Sequence, residues 1–327
     1  MFISKKNMKA IKVIEENLVI SETPVPLPGD DEVLIKVKAA GINRADIAQR
    51  KGLYPPPPGA SEILGLECSG IIESVGKNVS ARQPGDEVIG LLGGGGYGEY
   101  VTCPQFHTLY KPANLNWVEA ASIPEVYATC WLNLFMEASM KEGDKVVFHA
   151  GASGIGTAGI QLAKAFGCES FVSAGSKNKI DMCINLGASD GEVRSRDIFS
   201  KIKSWAPEGV DVILDPVGAE YFESNLNVLG IEGRLVIIGL MSGAQTNLNL
   251  GHLMIKRQKI IGSTIRARNV ETKNIVMEEL SQKVLPLFKS GELIPIIHET
   301  YPLSESEKAH EIMEANENIG KIILTLD

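Results

Sequence analysis

The stretch His149-Ala150-Gly151-Ala152-Ser153-Gly154-Ile155-Gly156-Thr157-Ala158-Gly159 constrains the fold more than any other part of the chain. It follows the run Lys145-Val146-Val147-Phe148 and opens a helix-like segment, residues 160–166, so it sits between a strand and a helix. Residues 154–159 fit G-x-G-x-x-G, the dinucleotide-binding pattern, in the position that pattern requires. The three glycines then serve a tight turn, close approach of the backbone to a pyrophosphate, and close packing of the helix on its strand. The helix N-terminus adds unpaired N–H groups and a positive dipole end. A glycine turn that only joins a strand to a helix is the competing reading. It is disfavoured by the apolar face Ile155, Ala158, Leu162, Ala163 and Phe166 and by the strand–helix alternation that follows.

That alternation runs from residue 145 to about 238. Strands are expected at 145–150, 170–174, near 191, 210–214 and 234–238, with helices at 154–167, 177–186, 197–205 and 221–228 between them. The apolar runs at 210–214 and 235–238 suit a parallel sheet covered on both faces. A further strand is expected at 259–266, at the sheet edge, where pairing with a second subunit would bury exposed backbone groups. A helix at 274–289 precedes a tail with β character at 294–300 and 322–326, which is expected to rejoin the first domain.

Residues 8–101 have a different rhythm. Short strands at 9–13, 18–22, 32–40, 64–75, 87–91 and 98–101 alternate with turns, a barrel-like pattern without strand–helix alternation. A helix begins at 116–121, and another with an apolar face spans 124–140. Tyr54-Pro55-Pro56-Pro57-Pro58-Gly59 is a stiff extended connection. Gly93-Gly94-Gly95-Gly96-Tyr97-Gly98 reads as a permissive, mobile loop, either a plain hairpin or a ligand contact.

With 327 residues the chain supports two domains at about 100–200 residues each. A net charge of −8 gives no general attraction to nucleic acid or an anionic membrane. The five cysteines are odd in number and widely spaced, as expected of reduced thiols. No stretch approaches the ~20 apolar residues needed to span a bilayer, and residues 1–7 lack a secretory signal, so a cytoplasmic protein is expected. Those first residues form a short, weakly basic extension, either native, targeting or added.

The cofactor type follows from one position. An NAD-binding unit places Asp or Glu about 20 residues after the glycines, on the ribose 2′-hydroxyl. Here that place is Ser173-Ala174-Gly175-Ser176, without an acid, followed by Lys177 and Lys179. Gly175, Ser176 and Lys179 can accept a 2′-phosphate, which favours NADPH. In the other reading both lysines solvate the first turn of the next helix, where cations gain nothing from the dipole.

The order of a β-rich domain, a strand–helix domain and a β tail, with Ala40-Gly41-Ile42-Asn43-Arg44-Ala45-Asp46, Leu64-Gly65-Leu66-Glu67-Cys68-Ser69-Gly70, Pro84-Gly85-Asp86-Glu87-Val88 and the turn at 150–156, resembles the medium-chain dehydrogenase/reductase superfamily. Within it the chain is similar to the zinc-independent quinone oxidoreductase branch that includes zeta-crystallin. It is especially similar to the stress-inducible NADPH quinone oxidoreductases of animals, in Asn43-Arg44-Ala45-Asp46, Pro56-Pro57-Pro58-Gly59-Ala60-Ser61, Ala315-Asn316 and Asn318-Ile319-Gly320-Lys321. The resemblance spans residues 8–326. It implies an α/β chain with a GroES-like β-barrel catalytic domain over residues 1–132, completed by 296–327, and a Rossmann doubly wound parallel-sheet domain over 133–295. In the alcohol dehydrogenase relatives the first motif carries a Cys and the second a His as ligands of a catalytic zinc. Asn43 and Leu66 stand at those places and cannot replace thiolate and imidazole, so no metal is expected.

The resemblance also implies roles. Asn43, Arg44 and Asp46 would lie at a cleft near the nicotinamide, Tyr54 at the rim of the acceptor pocket as a candidate proton donor, and Thr129 at the nicotinamide. Ser153, Gly154, Ile155 and Gly156 would line the pyrophosphate turn, and Gly175, Ser176 and Lys179 would hold the adenosine phosphate. Gly239, Leu240 and Met241 would bind at the end of a parallel strand, and Asn318 and Lys321 would cover the cofactor from the tail. The residues also admit structural readings. Asn43 and Asp46 are equally readable as helix caps, Tyr54 as packing against proline, and Glu67 as a carboxylate paired with a buried Arg. Arg194, where several bacterial relatives place a tyrosine, is a further phosphate-ligand candidate by alignment alone. The expected chemistry is zinc-free hydride transfer from NADPH to a quinone, or to an activated alkene in the rival reading, by a homodimer. A crystallin-like structural or RNA-binding role would be accompanied by a degraded glycine turn or a basic stripe, and neither is present.

Overall fold

The computed structural model describes residues 6–195 and 197–326. The first five residues of the basic extension lie outside them. The chain forms two compact units, Met1–Ala128 with Arg266–Asp327, and Thr129–Ile265.

In the first unit the chain runs through β1 (Asn7–Ile14), β2 (Asn17–Pro24), β3 (Glu32–Gly41), α1 (Arg44–Arg50), β4 (Glu67–Val75), β5 (Glu87–Leu91), β6 (Tyr100–Pro104), β7 (Thr108–Tyr110), α2 (Trp117–Ala121) and the larger part of α3 (Pro124–Cys130), whose last two residues count with the second unit. Strand β3 is its axis. It pairs antiparallel with β4 and β6, and Val33, Ile35 and Val37 face a core shared with Ile72, Val88 and Val101. From Ile35 to Ala39 the period-2 alternation in the sequence is an alternation of burial, with Lys36 and Lys38 half-buried, whereas Leu34 is buried in a second cluster with Met8, Ala10 and Tyr100.

The glycine run at 93–96 is not the mobile loop its composition implies. Gly94, Gly95 and Gly96 are buried, and the amides of Gly95, Gly96 and Tyr97 donate to the carbonyls of Ile63, Gly65 and Leu64 at 2.7, 3.1 and 2.9 Å. A Cβ on Gly94 would lie 2.4 Å from Ser61 O. The glycines permit two backbones to touch, which is packing rather than freedom.

The second unit continues with β8 (Lys145–Phe148), α4 (Gly154–Ala165), β9 (Glu169–Ala174), α5 (Lys177–Leu186), β10 (Asp190–Val193), α6 (Ile198–Trp205), β11 (Val210–Asp215), α7 (Phe222–Val228), β12 (Leu229–Ile237), α8 (Leu250–Lys256) and β13 (Lys259–Gly262). The strands form one parallel sheet in the order β10-β9-β8-β11-β12-β13. Val146, Val147, Phe171, Val172, Ile213 and Leu235 are fully enclosed, as continuous apolar strands require. Helix α8 is not visible in the sequence pattern, and it has no buried residue.

The chain returns through α9 (Val270–Glu279), α10 (Leu285–Ser290), β14 (Ile297–Pro302), α11 (Ser306–Glu314) and β15 (Lys321–Thr325). Strand β15 pairs antiparallel with β3, so the tail closes the first sheet as expected. The segment 266–295 also groups with the first unit, although the sequence rhythm places it in the second. Its contacts explain this. Phe288 meets Tyr127 edge to face at 4.9 Å, Asn114 Nδ2 donates to Phe288 O at 3.0 Å, and His107 Nε2 lies 3.3 Å from Val270 O. An amphipathic helix looks the same in sequence whichever sheet it covers. The tail also holds α11, a helix inside a segment whose sequence reads as β. Among the described residues all five cysteines are free and buried, and no helix is long and apolar enough to cross a membrane.

Gly65 is held at φ +101°, and a Cβ there would fall 2.6 Å from Gly96 Cα. Gly65→Ala is expected to lower the unfolding free energy in urea by about 2–4 kcal/mol. A loss below about 0.5 kcal/mol would mean that the packed glycine loop yields freely.

Candidate functional site

The dinucleotide-type turn of the second unit is built by close approach. After β8 the chain turns at Ala150, φ +55°, and Ser153 caps α4, its Oγ accepting from Gly156 N at 3.1 Å. A Cβ on Gly156 would lie 2.3 Å from Gly151 O, and one on Gly159 would lie 2.4 Å from the Phe148 ring. The middle glycine thus keeps the turn tight, and the last lets α4 lie on β8. At the end of β9 the surroundings are open, since a Cβ on Gly175 would meet nothing within 4 Å. Ser176 caps α5, its Oγ accepting from Lys179 N at 3.4 Å. Lys177 pairs with Asp181 on the exposed face of its own helix at 2.9 Å. Leu240 and Met241 are exposed beyond β12, and Gly239 approaches Pro216 O so closely that a Cβ would lie 2.7 Å from it. Thr129 is buried at the start of the unit, with its carbonyl accepting from Asn133 Nδ2 at 2.8 Å. Arg194 is exposed, its amide donating to Ala174 O at 2.8 Å. A tight turn that any side chain would fill, beside open space at Gly175, fits a dinucleotide.

Beneath this turn lies a polar chain that sequence reasoning missed. His149 Nε2 is 2.8 Å from Asn225 Oδ1 and His149 Nδ1 is 3.0 Å from Ser173 Oγ. Asn225 Nδ2 donates to Asp215, which also accepts from Val217 N and Gly218 N. Because the amide oxygen only accepts, Nε2 carries the proton and the Ser173 hydroxyl donates to Nδ1. Burial lowers the His149 pKa to about 4 and raises that of Asp215 to about 6. The chain ties the ends of β8, β9 and β11 together. His149 heads the organising stretch of sequence, but nothing in the sequence marks Asn225 or Asp215 as its partners.

In the first unit a second cluster gathers at the corner between β3 and α1. Lys321 Nζ lies 2.7 Å from Ile42 O, 2.6 Å from Asn43 Oδ1 and 2.6 Å from Glu67 Oε1. Asn43 Nδ2 donates to Glu67 Oε1 at 3.0 Å, and Glu67 Oε2 accepts from Glu125 N at 2.8 Å. The Asp46 carboxylate accepts from Asn43 N at 2.8 Å and Gly65 N at 2.9 Å, and Tyr97 Oη lies 3.3 Å away. Tyr97 Oη in turn meets His310 Nε2 at 3.0 Å. Burial raises the Asp46 pKa to about 6, against the pull of these N–H donors and of Lys321 and Arg266.

These contacts revise several assignments. Asp46 is fully buried with both oxygens engaged, so it positions a helix start and a loop rather than reaching a substrate. Asn43 is buried, and both ends of its carboxamide are taken by Lys321 and Glu67. The buried partner of Glu67 is Lys321, not an arginine. Lys321 gives all three ammonium protons to protein oxygens, and Asn318 donates its amide to Gly320 O at 2.8 Å. Tyr54 does not simply lean on proline. The Arg266 guanidinium lies over its ring, 5.4 Å from the centroid, while donating to Gly93 O at 2.9 Å and Gln49 Oε1 at 2.7 Å. No sequence signal marks Arg266, Tyr97 or His310, whose partners are distant along the chain.

Residues 29–113 match the alcohol dehydrogenase GroES-like domain and residues 154–282 the zinc-binding dehydrogenase family. Human quinone oxidoreductase is 33% identical over 332 residues, covering 98% of this chain and 99% of that one. The chain belongs to the medium-chain dehydrogenase/reductase superfamily. The zebrafish (Danio rerio) synaptic vesicle membrane protein VAT-1 homolog is 30% identical over 90% of this chain, which spans only 64% of that relative's length. Among solved structures, a mycobacterial protein complexed with NADPH has a TM-score of 0.88 at 26% identity, covering 98% of this chain and 100% of that one. The apo JamJ enoyl reductase has a TM-score of 0.87 at 26% identity with the same coverage. The chain is thus an NAD(P)-dependent oxidoreductase with a GroES-like domain and a six-stranded parallel Rossmann sheet. The matched family name includes zinc. Asn43 and Leu66 supply no ligand pair, and among the described residues no three His, Cys, Asp or Glu side chains are grouped to hold a metal ion.

The depressed pKa of His149 makes a stability prediction with a definite sign. Its neutral form is preferred in the fold, so its contribution is present above about pH 6.5 and is lost as pH falls toward 4. Replacing His149 with Phe is expected to make the acid limb of unfolding free energy against pH shallower by one proton, about 1.4 kcal/mol per pH unit. An unchanged slope would show that His149 already protonates in the folded state.

Proposed function

We propose that the chain is an NADPH-dependent, zinc-independent reductase that delivers hydride to a quinone-type acceptor, working in the cytoplasm as a homodimer. The observation that carries the cofactor choice is the end of β9, where no carboxylate stands and Gly175 leaves open space beside Ser176 and Lys179. A carboxylate there would bind a ribose hydroxyl and repel a phosphate, whereas Lys179 attracts one. NADPH, when bound, supplies the hydride. Ser153, Gly154, Ile155 and Gly156 would hold its pyrophosphate through the turn and the first amides of α4. Gly239, Leu240 and Met241 offer a small and apolar surface at the end of β12, which suits a nicotinamide more than a charged group.

An acceptor that is already electron-poor needs no Lewis acid, and this fits a site with Asn43 and Leu66 where relatives carry zinc ligands. Hydride delivered to a quinone carbonyl leaves an oxyanion, and water or Tyr54 can return the proton. The Arg266 guanidinium over the Tyr54 ring favours the phenolate left behind. The match to quinone oxidoreductase over nearly the whole length of both chains supports the quinone reading. The JamJ enoyl reductase favours the rival, an activated alkene reduced by the same scaffold. The intact glycine turn and acidic composition count against a structural or RNA-binding role.

Lys179→Ala is expected to raise KM for NADPH about tenfold or more, the loss of one charge-assisted hydrogen bond, and to leave KM for NADH nearly unchanged. Equal effects on both cofactors would remove the assignment. An ortho-quinone is expected to turn over faster than a 2-alkenal in the same assay, and the reverse order would select the enal reading.

The homodimer is supported by β13, the last strand of the sheet order, and by the neighbouring α8, which exposes Leu250, Met254 and Ile255 by 70–73%. Sedimentation velocity should show a dimer that Met254→Glu with Ile255→Glu dissociates. A monomeric wild-type protein at micromolar concentration would end this part of the reading.

A further inference from the structure

Lys321 is buried on β15, and its ammonium has as many oxygen partners as it has protons: Ile42 O, Asn43 Oδ1 and Glu67 Oε1 at 2.6–2.7 Å. The three oxygens come from two separate parts of the chain, the corner between β3 and α1 and the start of β4. A backbone carbonyl, an amide oxygen and a carboxylate converging on one positive charge make a cation site, occupied by a side chain of the protein itself. The site is tight, since a Cβ on Gly41 would fall 2.2 Å from Glu67 Oε1.

We propose that Lys321 is a positioning residue for hydride transfer, its ammonium being the resident cation of a built oxygen site that fixes the Asn43 carboxamide. This rests on the proposed function and on the resemblance, which implies that Asn43 lies near the nicotinamide. The carboxamide has one allowed orientation, because turning it over would set its NH2 against the ammonium and its oxygen against the Glu67 carboxylate. Asn43 N is held at the same time by Asp46, so side chain and backbone are fixed by independent partners. A metal ion entering this corner would have to expel an ammonium that is already paired and fully hydrogen-bonded. The fold meets the demand for positive charge from within.

Removing the side chain and returning its charge as a small amine tests the proposal. Lys321→Ala is prepared in methylammonium chloride, and thermal unfolding midpoint, NADPH affinity and turnover are measured as the amine is diluted. The expected result is a saturable dependence of the midpoint on methylammonium, with sodium or tetramethylammonium chloride ineffective. Without amine, kcat should fall about tenfold or more through misplacement of the Asn43 corner, while NADPH affinity holds, and methylammonium should restore kcat. Lys321→Met fills the volume without charge and should remain slow in amine, which separates charge from packing. Lys321→Met with Glu67→Gln removes both buried charges and should recover the midpoint but not kcat. A midpoint indifferent to amine overturns the cation site, and a kcat that stays high without amine overturns the positioning role. A wild type inert toward both acceptor classes overturns only the functional reading, because the amine dependence of the midpoint needs no turnover.

Discussion

A lysine ammonium enclosed by three oxygens holds the first unit together. Burying a charge is costly, and a buried ion pair is favourable only when its geometry is good and its remaining hydrogen bonds are made. Both conditions hold here, with Lys321 fully donated and Glu67 accepting from Lys321, Asn43 and the Glu125 amide. The pair joins β15, from the end of the chain, to the corner after β3 and to the start of β4. The pairing of Ile323 with Gly41 and Leu324 with Ala40 runs beside it, so the sheet ladder and the ion pair set the same register.

Both units orient their loops with short buried polar chains. In the second unit Ser173, His149, Asn225 and Asp215 run from the end of one central strand to the next. In the first unit His310, Tyr97 and Asp46 lead to the amides of Asn43 and Gly65. The proton order of the latter chain follows from its ends. His310 Nδ1 is buried without a partner among the described residues, so it is the unprotonated nitrogen, and Nε2 donates to Tyr97, which donates to Asp46. Burial lowers the His310 pKa to about 4 and keeps the imidazole neutral. Such chains give direction because each hydroxyl or imidazole has one proton to give, and a reversed order would leave a buried donor unpaired.

The glycines act in the same spirit in both units. At Gly156 and Gly65 the missing side chain admits a neighbouring backbone, not motion. The run at 93–96 looks permissive in sequence because composition reports the freedom of an isolated peptide. Packing against residues 61–65 removes that freedom, and only three-dimensional contact reveals it.

Local pattern carried the six strands of the parallel sheet, every strand of the first unit but β7, the glycine turn, helix α5 at its observed limits and the missing acid after β9, because each is set by neighbours within a few residues. Helices α8 and α11 escaped, the first because it buries nothing and shows no apolar face toward a core, the second because it interrupts a β-like tail. The sequence by itself determined a strand–helix domain with a dinucleotide turn, joined to a β-rich domain that the tail completes. Tertiary structure alone decided that Lys321 meets Glu67 and Asn43, that Arg266 covers Tyr54, that residues 266–295 belong with the first unit, and that Asp46 is enclosed. The reason is physical: periodicity and turn chemistry act between near neighbours, whereas a buried charge or polar group takes its partner from whichever distant segment the fold brings within about 3 Å.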